Sequence, residues 1–212
     1  TGNFGNVFAA YLAQRMGFPI AHLLIATNDN DILARFFATG SYARGEVHQT
    51  LSPAMDIQVA SNFERFLYYY FDQDSQLLTQ FMRDFATNGE ASIGAPPEEA
   101  LLSSVAVDRQ QTLQSMRDVH QRFGYILDPH TAVGYFAAQQ WLQQAGAEAT
   151  SSYVVVGTAH PAKFPEAVVE ATGTKPTHPT LAALSGLPKR SQALPGDIDA
   201  VKTYLVETLA AK

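Results

Sequence analysis

Two short apolar runs constrain the fold of this 212-residue chain more than any other feature. The first is PIAHLLIATN at residues 19–28, and the second is SSYVVVG at residues 151–157. Both runs are rich in strand-forming residues, are bounded by turn-forming residues and are too short for typical helices, which favours buried strands. We therefore predict buried strands at Leu23–Ala26 and Tyr153–Val156.

Segments with helical periodicity lie on both sides of these runs and between them. The clearest follows Asp108, which is placed to cap a helix reciprocally with Gln111, and Gly124 ends that helix. Strands that alternate with amphipathic helices are typical of an α/β protein. The predicted fold is therefore a mostly parallel sheet flanked by helices.

A proline-containing segment separates the last predicted helix from the rest of the chain. Gly173 ends the helix KFPEAVVEATG, and residues 174–196 are predicted to form a loop. We therefore divide the chain into two parts. The first is an α/β portion at residues 1–173, with a helical insertion at about 53–123, and the second is a C-terminal loop and amphipathic helix at 174–212.

The composition argues against several classes of protein. The net charge of −6 is unlike that of a nucleic-acid-binding surface, and the absence of cysteine excludes a disulfide framework or a thiolate nucleophile. The six histidines lack the spacing of a zinc site, and the sequence contains no G-x-S-x-G motif of serine hydrolases. No apolar run is long enough to cross a bilayer, so we expect a cytoplasmic protein without a membrane partner.

The chain opens with TGNFGN, a glycine-rich loop directly ahead of a helix. Glycines in such a loop permit positive φ angles and close approach, and the N–H groups lie at the positive end of the helix dipole, which suits a phosphate group. The same six residues are also compatible with an ordinary turn. The loop has neither the lysine of a nucleotide P-loop nor the glycine spacing of a dinucleotide site, which disfavours ATP and NAD.

Three further polar stretches stand at predicted ends of strands or starts of helices: ATNDND at 26–31, DPHTAVG at 128–134 and GTAHPAKF at 157–164. In α/β proteins, ligands bind at the carboxyl ends of the parallel strands. Each stretch also has a plainer interpretation, as a turn or as the cap of the helix that follows it. Taken one at a time, the plainer interpretation is favoured.

Taken together and in order, TGNFGN, TNDND, LSPAMD, DPHTAVG and TAHPAKF resemble the threonine synthase family of pyridoxal-phosphate enzymes. The resemblance extends from Thr1 to the helix KFPEAVVEATG and is weaker in the tail. It implies a fold-type II architecture, shared with the tryptophan synthase β subunit, and pyridoxal 5'-phosphate as the cofactor. The implied reaction converts O-phospho-L-homoserine and water to L-threonine and phosphate.

The resemblance also implies roles for individual residues. Thr158 is implied as the hydroxyl partner of the pyridine nitrogen, and Lys163, Asn28 and Asp29 as contacts of the substrate. The implied cradle of the cofactor phosphate consists of Gly2, Asn3, Phe4, Gly5 and Asn6.

One feature of the family is missing. Its members hold the cofactor as a Schiff base on a lysine in the N-terminal half of the protein. No lysine of this chain matches that segment, and the five that it has are Lys163, Lys175, Lys189, Lys202 and Lys212. We therefore expect this chain to be a C-terminal portion that is inactive alone, with no catalytic residue of its own.

Two alternatives stay open at this point. A threonine-synthase-like phospholyase would share the cofactor loop but release phosphate without forming threonine. A non-catalytic α/β module that binds a phosphorylated ligand would also explain the glycine-rich loop, and the missing lysine favours it for this chain taken alone.

Overall fold

The computed structural model describes residues 2–97, 101–145 and 152–210. These residues form two compact units, one ending at Thr177 and the other beginning at His178. The helices of the first unit are α1 (Gly5–Arg15), α2 (Ile32–Thr39), α3 (Phe63–Tyr70), α4 (Ser75–Asn88), α5 (Arg109–Phe123), α6 (Pro129–Ala145) and α7 (Pro165–Thr172). Its strands are β1 (Leu23–Thr27), β2 (Ser41–Ala43), β3 (Glu90–Ser92) and β4 (Leu102–Ala106).

Two 3₁₀ turns complete the first unit, at Pro53–Met55 and at Pro161–Lys163. The second unit contains α8 (Pro179–Ser185) and α9 (Ile198–Ala210). None of the described helices is long and apolar enough to cross a membrane.

The strands form two small sheets. β1 pairs in parallel with β4, and β2 pairs antiparallel with β3. In the parallel pair, Leu23 lies opposite Leu102 and Thr27 lies opposite Ala106, so both carboxyl ends lie at the same edge. This parallel pair, with helices packed against it, confirms the predicted α/β class.

The largest apolar cluster joins α1, α2, α3 and α4 around β1. Its centre is aromatic. The ring centres of Phe36 and Phe63 lie 4.8 Å apart, and the ring of Phe4 meets that of Phe63 edge-on, with 5.3 Å between the ring centres. Such edge-to-face pairs add to the free energy gained by burying the rings. The cluster fixes Phe4, the residue directly before α1, and so fixes the entrance to that helix.

The helix ends follow the predicted local signals closely. Asp108 and Gln111 form the reciprocal cap at the start of α5, with hydrogen bonds of 2.8 and 3.0 Å. Glycines in the left-handed conformation end α2, α5 and α7; they are Gly40, Gly124 and Gly173, and the last two are as predicted above. These features depend only on residues within a few positions of each other, which is why the sequence predicts them well.

The prediction of a buried strand at Tyr153–Val156 is wrong. These residues form no described strand, and Val154 and Val156 are 85% and 61% exposed. No recorded backbone hydrogen bond joins residues 152–158 to β1 or β4. A strand requires a hydrogen-bonded neighbour, and apolar composition alone does not supply one.

Two further segments differ from the expectation. Residues 174–196, predicted as a loop, contain α8, which has Pro179 at its first position. The region expected as a helical insertion, about 53–123, contains β3 and β4 within residues 88–107, where the glycine- and proline-rich composition predicts a turn or short strands. The second of these strands belongs to the parallel pair, so this region contributes to the sheet as well as to the helices.

Candidate functional site

The N-terminus of α1 offers free hydrogen-bond donors. The N–H of Gly5 donates to Asn3 Oδ1 at 3.1 Å. In the part of the chain that the structure describes, no acceptor is recorded for the N–H groups of Asn6 and Val7. These two donors lie at the positive end of an 11-residue helix and are therefore suited to an anionic group.

The positive φ angle in the opening loop belongs to Phe4, at 66°, and not to Gly2 or Gly5, where the absence of a side chain would permit it. The burial of the Phe4 ring in the aromatic cluster holds this strained backbone in place. Gly2 is required for a different reason. A Cβ at this position would lie only 2.9 Å from the carbonyl oxygen of Ala54, so the loop packs directly against the turn at residues 53–55.

Asn28 follows β1 and is buried. Its Nδ2 donates to Thr50 Oγ1 and to Asp56 Oδ1, both at 2.7 Å. A third acceptor, Ser52 Oγ, lies at 3.0 Å. An amide nitrogen has two hydrogens, so these contacts already use its donors fully. In this structure Asn28 holds the segment 50–56 against the end of β1, and its predicted contact with substrate stays a prediction.

Asn30 extends the same polar network. Its backbone N–H donates to Asn28 Oδ1 at 2.9 Å, and its side chain bonds the N–H and the carbonyl of His48, at 2.9 and 2.8 Å. Asp56 accepts from both the N–H and the hydroxyl of Thr50, at 2.9 and 2.6 Å. Because buried polar groups are costly unless they are bonded, this complete network fixes the segment 48–56 firmly.

Asp29 differs from its buried neighbours because it is exposed to solvent. Partial burial raises the pKa of the Asp29 carboxyl above its ordinary value, and the negative charges of Asp108 and Asp56 add to that effect. The nearby His48 lowers the pKa of Asp29, but by less than burial and Asp108 raise it. Asp29 and Asp108 follow the paired ends of β1 and β4, so both carboxyl groups lie at this edge of the sheet.

Asp128 and His130 form a second buried polar group, at the start of α6. The carboxylate of Asp128 accepts from the backbone N–H of His130 at 2.9 Å and from the hydroxyl of Thr131. It also lies 2.9 Å from His130 Nδ1. Burial raises the pKa of Asp128, but the hydrogen bonds from His130 and Thr131 outweigh it, so the pKa is below its ordinary value. His130 Nε2 accepts from the N–H of Ala54 at 3.3 Å.

Thr158 and Lys163 are exposed side chains near the start of α6. The backbone before Thr158 is close to that helix, since a Cβ at Gly157 would lie 3.2 Å from Thr131 Oγ1. The Lys163 ammonium lies 5.9 Å from the ring of Phe164, which in turn contacts the ring of His130 at 4.6 Å. A cleft of about 300 Å³ lies between residues 125–135 and 155–161.

The turn at residues 52–56 joins the predicted motifs. It contacts the opening loop through Gly2, the end of β1 through Asn28 and the start of α6 through His130. TAHPAKF reaches the same place through Phe164 and His130. Asp56 and Asp128 also belong to this arrangement, but the sequence analysis did not name them as site residues. The signals that could have identified them are the motifs LSPAMD and DPHTAVG, which contain them.

Comparison with known proteins gives a consistent result. A family model described as "Threonine synthase, C-terminal" matches residues 131–205. The threonine synthase of Pseudomonas aeruginosa is 39% identical over 210 residues, which cover 97% of this chain. The chain belongs to the threonine synthase family. This confirms the resemblance that the motifs indicate.

Solved structures of the family confirm the fold. The crystal structure of PLP-bound threonine synthase from Brucella melitensis has a TM-score of 0.88, 39% identity and 98% coverage of this chain. The threonine synthase from yeast has a TM-score of 0.87, 35% identity and coverage of the whole chain. The chain spans only 44% to 47% of the length of these proteins and 44% of the Pseudomonas protein. The roles of single residues in this chain stay predictions.

Proposed function

We propose that this chain is the C-terminal portion of a threonine synthase that converts O-phospho-L-homoserine and water to L-threonine and phosphate. The observation that carries the proposal is the convergence of the family's motifs on the turn at 52–56, beside the N-terminus of α1. If the motifs served only as separate turns and caps, we would not expect them to lie together at one place.

The residues present fit pyridoxal phosphate, the cofactor of the Brucella structure. The free N–H groups of Asn6 and Val7, with the helix dipole of α1, suit its phosphate group. Thr158 is exposed, and no hydrogen bond of its hydroxyl is recorded among the described residues, so it is available to the pyridine nitrogen. When bound, this cofactor supplies an electron sink for the carbanions that form on an amino-acid substrate.

The residues of this chain are proposed to bind and orient, and not to transfer the first proton. Gly2–Asn6 hold the cofactor phosphate, and a neutral hydroxyl at Thr158 accommodates the ring nitrogen without forcing its full protonation. Lys163 is an exposed cation that suits the phosphate of the substrate as a point charge. Asn28 sets the turn beside them, and Asp29 lines the site. The lysine that carries the cofactor is proposed to belong to the part of the whole protein that this chain does not include.

A phospholyase on the same scaffold is the second candidate. The chain is also 34% identical over 206 residues to human threonine synthase-like 1. The two candidates differ in product and not in cofactor, so the cofactor loop does not separate them. A cytoplasmic location and a non-catalytic ligand-binding role for this chain alone are both still predictions.

The test uses the whole protein, incubated with pyridoxal phosphate and O-phospho-L-homoserine. A threonine synthase forms threonine and phosphate in equal amounts, and a phospholyase releases phosphate without threonine. A protein that binds the cofactor phosphate but releases neither product would support a non-catalytic role. The matched variants are Gly5→Val, whose Cβ would lie 3.2 Å from Asn3 Oδ1, and the control Val7→Ile. We expect Gly5→Val to impair cofactor binding far more than the control does.

A further inference from the structure

We propose that His130 is a positioning residue for the cofactor loop, acting through the turn at residues 52–56. This inference rests on the proposed function, since it assigns a role to His130 within the same site. The imidazole connects the start of α6 to the turn that packs against Gly2. It therefore helps to fix the position of Gly2 in the loop.

The first argument is the hydrogen-bond geometry of the ring. Asp128, 2% exposed, lies 2.9 Å from Nδ1, and the side chain of His130 is itself only 8% exposed. A backbone N–H can only donate, so the Ala54 N–H, 3.3 Å from Nε2, requires Nε2 to be the acceptor. In the neutral imidazole the proton then lies on Nδ1, which donates to the Asp128 carboxylate. Both contacts are satisfied by the same neutral tautomer.

The second argument is that capping α6 does not require the ring. The backbone N–H of His130 and the hydroxyl of Thr131 already bond the Asp128 carboxylate. A residue without an imidazole would leave that cap intact. The ring instead reaches Ala54, 76 positions away in the sequence, and contacts the Phe164 ring at 4.6 Å.

The third argument is the short path from Ala54 to the cofactor loop. The N–H of Ala54 bonds to His130, and its carbonyl oxygen faces Gly2 so closely that a Cβ there would lie 2.9 Å away. Asn28 holds the other side of the same turn through Ser52. If the turn shifts where Ala54 contacts His130, the carbonyl of Ala54 that packs against Gly2 therefore shifts as well.

The first test is independent of the cofactor and uses the whole protein. Nitrogen-15 NMR of histidine-labelled protein at neutral pH should show His130 with its proton on Nδ1 and an unprotonated Nε2. Hydrogen exchange at residues 52–56 should be faster in His130→Phe than in the wild type. A proton on Nε2, or unchanged exchange at the turn, would overturn the inference whether or not the protein makes threonine.

The second test measures the affinity for pyridoxal phosphate by fluorescence titration of the apoprotein. His130→Phe keeps a ring against Phe164 but lacks the acceptor for Ala54, and should weaken binding by about threefold to tenfold. His130→Gln can place its amide oxygen near the position of Nε2 and should restore affinity to within about twofold of the wild type. Rescue of this kind is not expected if the ring only fills space.

The matched control is His120→Phe on α5. The buried Nδ1 of His120 has no recorded hydrogen-bond partner in the described residues, so the same substitution there should leave cofactor affinity unchanged. Equal affinities for His130→Phe and His120→Phe would show that His130 is only structural. Failure of Gln to restore binding would also overturn the proposal. A whole protein that binds no cofactor would instead refute the proposed function, and the exchange measurement would still decide this inference.

Discussion

β1 and the apolar run at residues 152–157 have similar compositions but opposite environments. Ile25 of β1 is completely buried, whereas Val154 of the second run is 85% exposed. β1 is paired along its whole length with β4, and no recorded backbone hydrogen bond joins the second run to either strand. The difference shows that an apolar run becomes a buried strand only where a neighbouring strand can bond it.

The two runs also differ at their polar ends. After β1, Asn28 is buried and fully bonded to the segment 50–56. After the second run, Thr158 is exposed, with no recorded hydrogen bond of its hydroxyl in the described part of the chain. The first end stabilises the fold, and the second is available to a ligand. Substitutions in the two regions test this contrast, beginning with the largest effect.

The largest expected effect is on the buried strand itself. Ile25→Ala leaves a cavity in the aromatic cluster and should lower the free energy of unfolding by about 2–5 kcal/mol. The matched change Val154→Ala, at an exposed position, should alter it by less than about 0.5 kcal/mol. Urea denaturation of both variants of this chain measures the difference. Equal losses would contradict the contrast between the two runs.

The second effect concerns Asn28. Asn28→Leu keeps a similar volume but leaves Asp56 Oδ1 and Ser52 Oγ short of a donor, which should cost about 1–3 kcal/mol of unfolding free energy. Because the network fixes the turn, we also expect faster hydrogen exchange at residues 50–56. The same denaturation experiment on Thr158→Val should show almost no loss. A stable Asn28→Leu protein would mean that the network is not required for the fold.

The third effect concerns ligand binding and not stability. In the whole protein, Thr158→Val removes the hydroxyl proposed for the ring nitrogen and keeps the shape of the side chain. Cofactor binding should weaken by about 1 kcal/mol, and turnover should fall further because the electronic state of the ring changes. Fluorescence titration and threonine formation measure the two effects. Unchanged turnover would remove Thr158 from the site.

The contrast also explains how much could be predicted from the sequence. The cap formed by Asp108 and Gln111 depends on residues three positions apart, and the structure has it as predicted. The contact between Ala54 and His130 spans 76 positions, so no local pattern could reveal it. The motifs did indicate which segments belong together, because they occur in the order of a known family. They did not indicate that the turn at 52–56 is where those segments meet.

The smallest effect is expected at Asp29, next to the buried Asn28. Burial and the charges of Asp108 and Asp56 raise the pKa of Asp29 in the folded protein, so the folded state binds more protons than the unfolded state as Asp29 titrates. Stability contributed by this group is therefore lost as the pH rises above about 3.9, the ordinary value for aspartate. Asp29→Asn should raise the Tm slightly at pH 7, and the gain should disappear near pH 3. Thermal melts across this range test the sign, with Asp118→Asn on the exposed face of α5 as the control. A lower Tm for Asp29→Asn at pH 7 would show that Asp29 stabilises the end of β1, as Asn28 does.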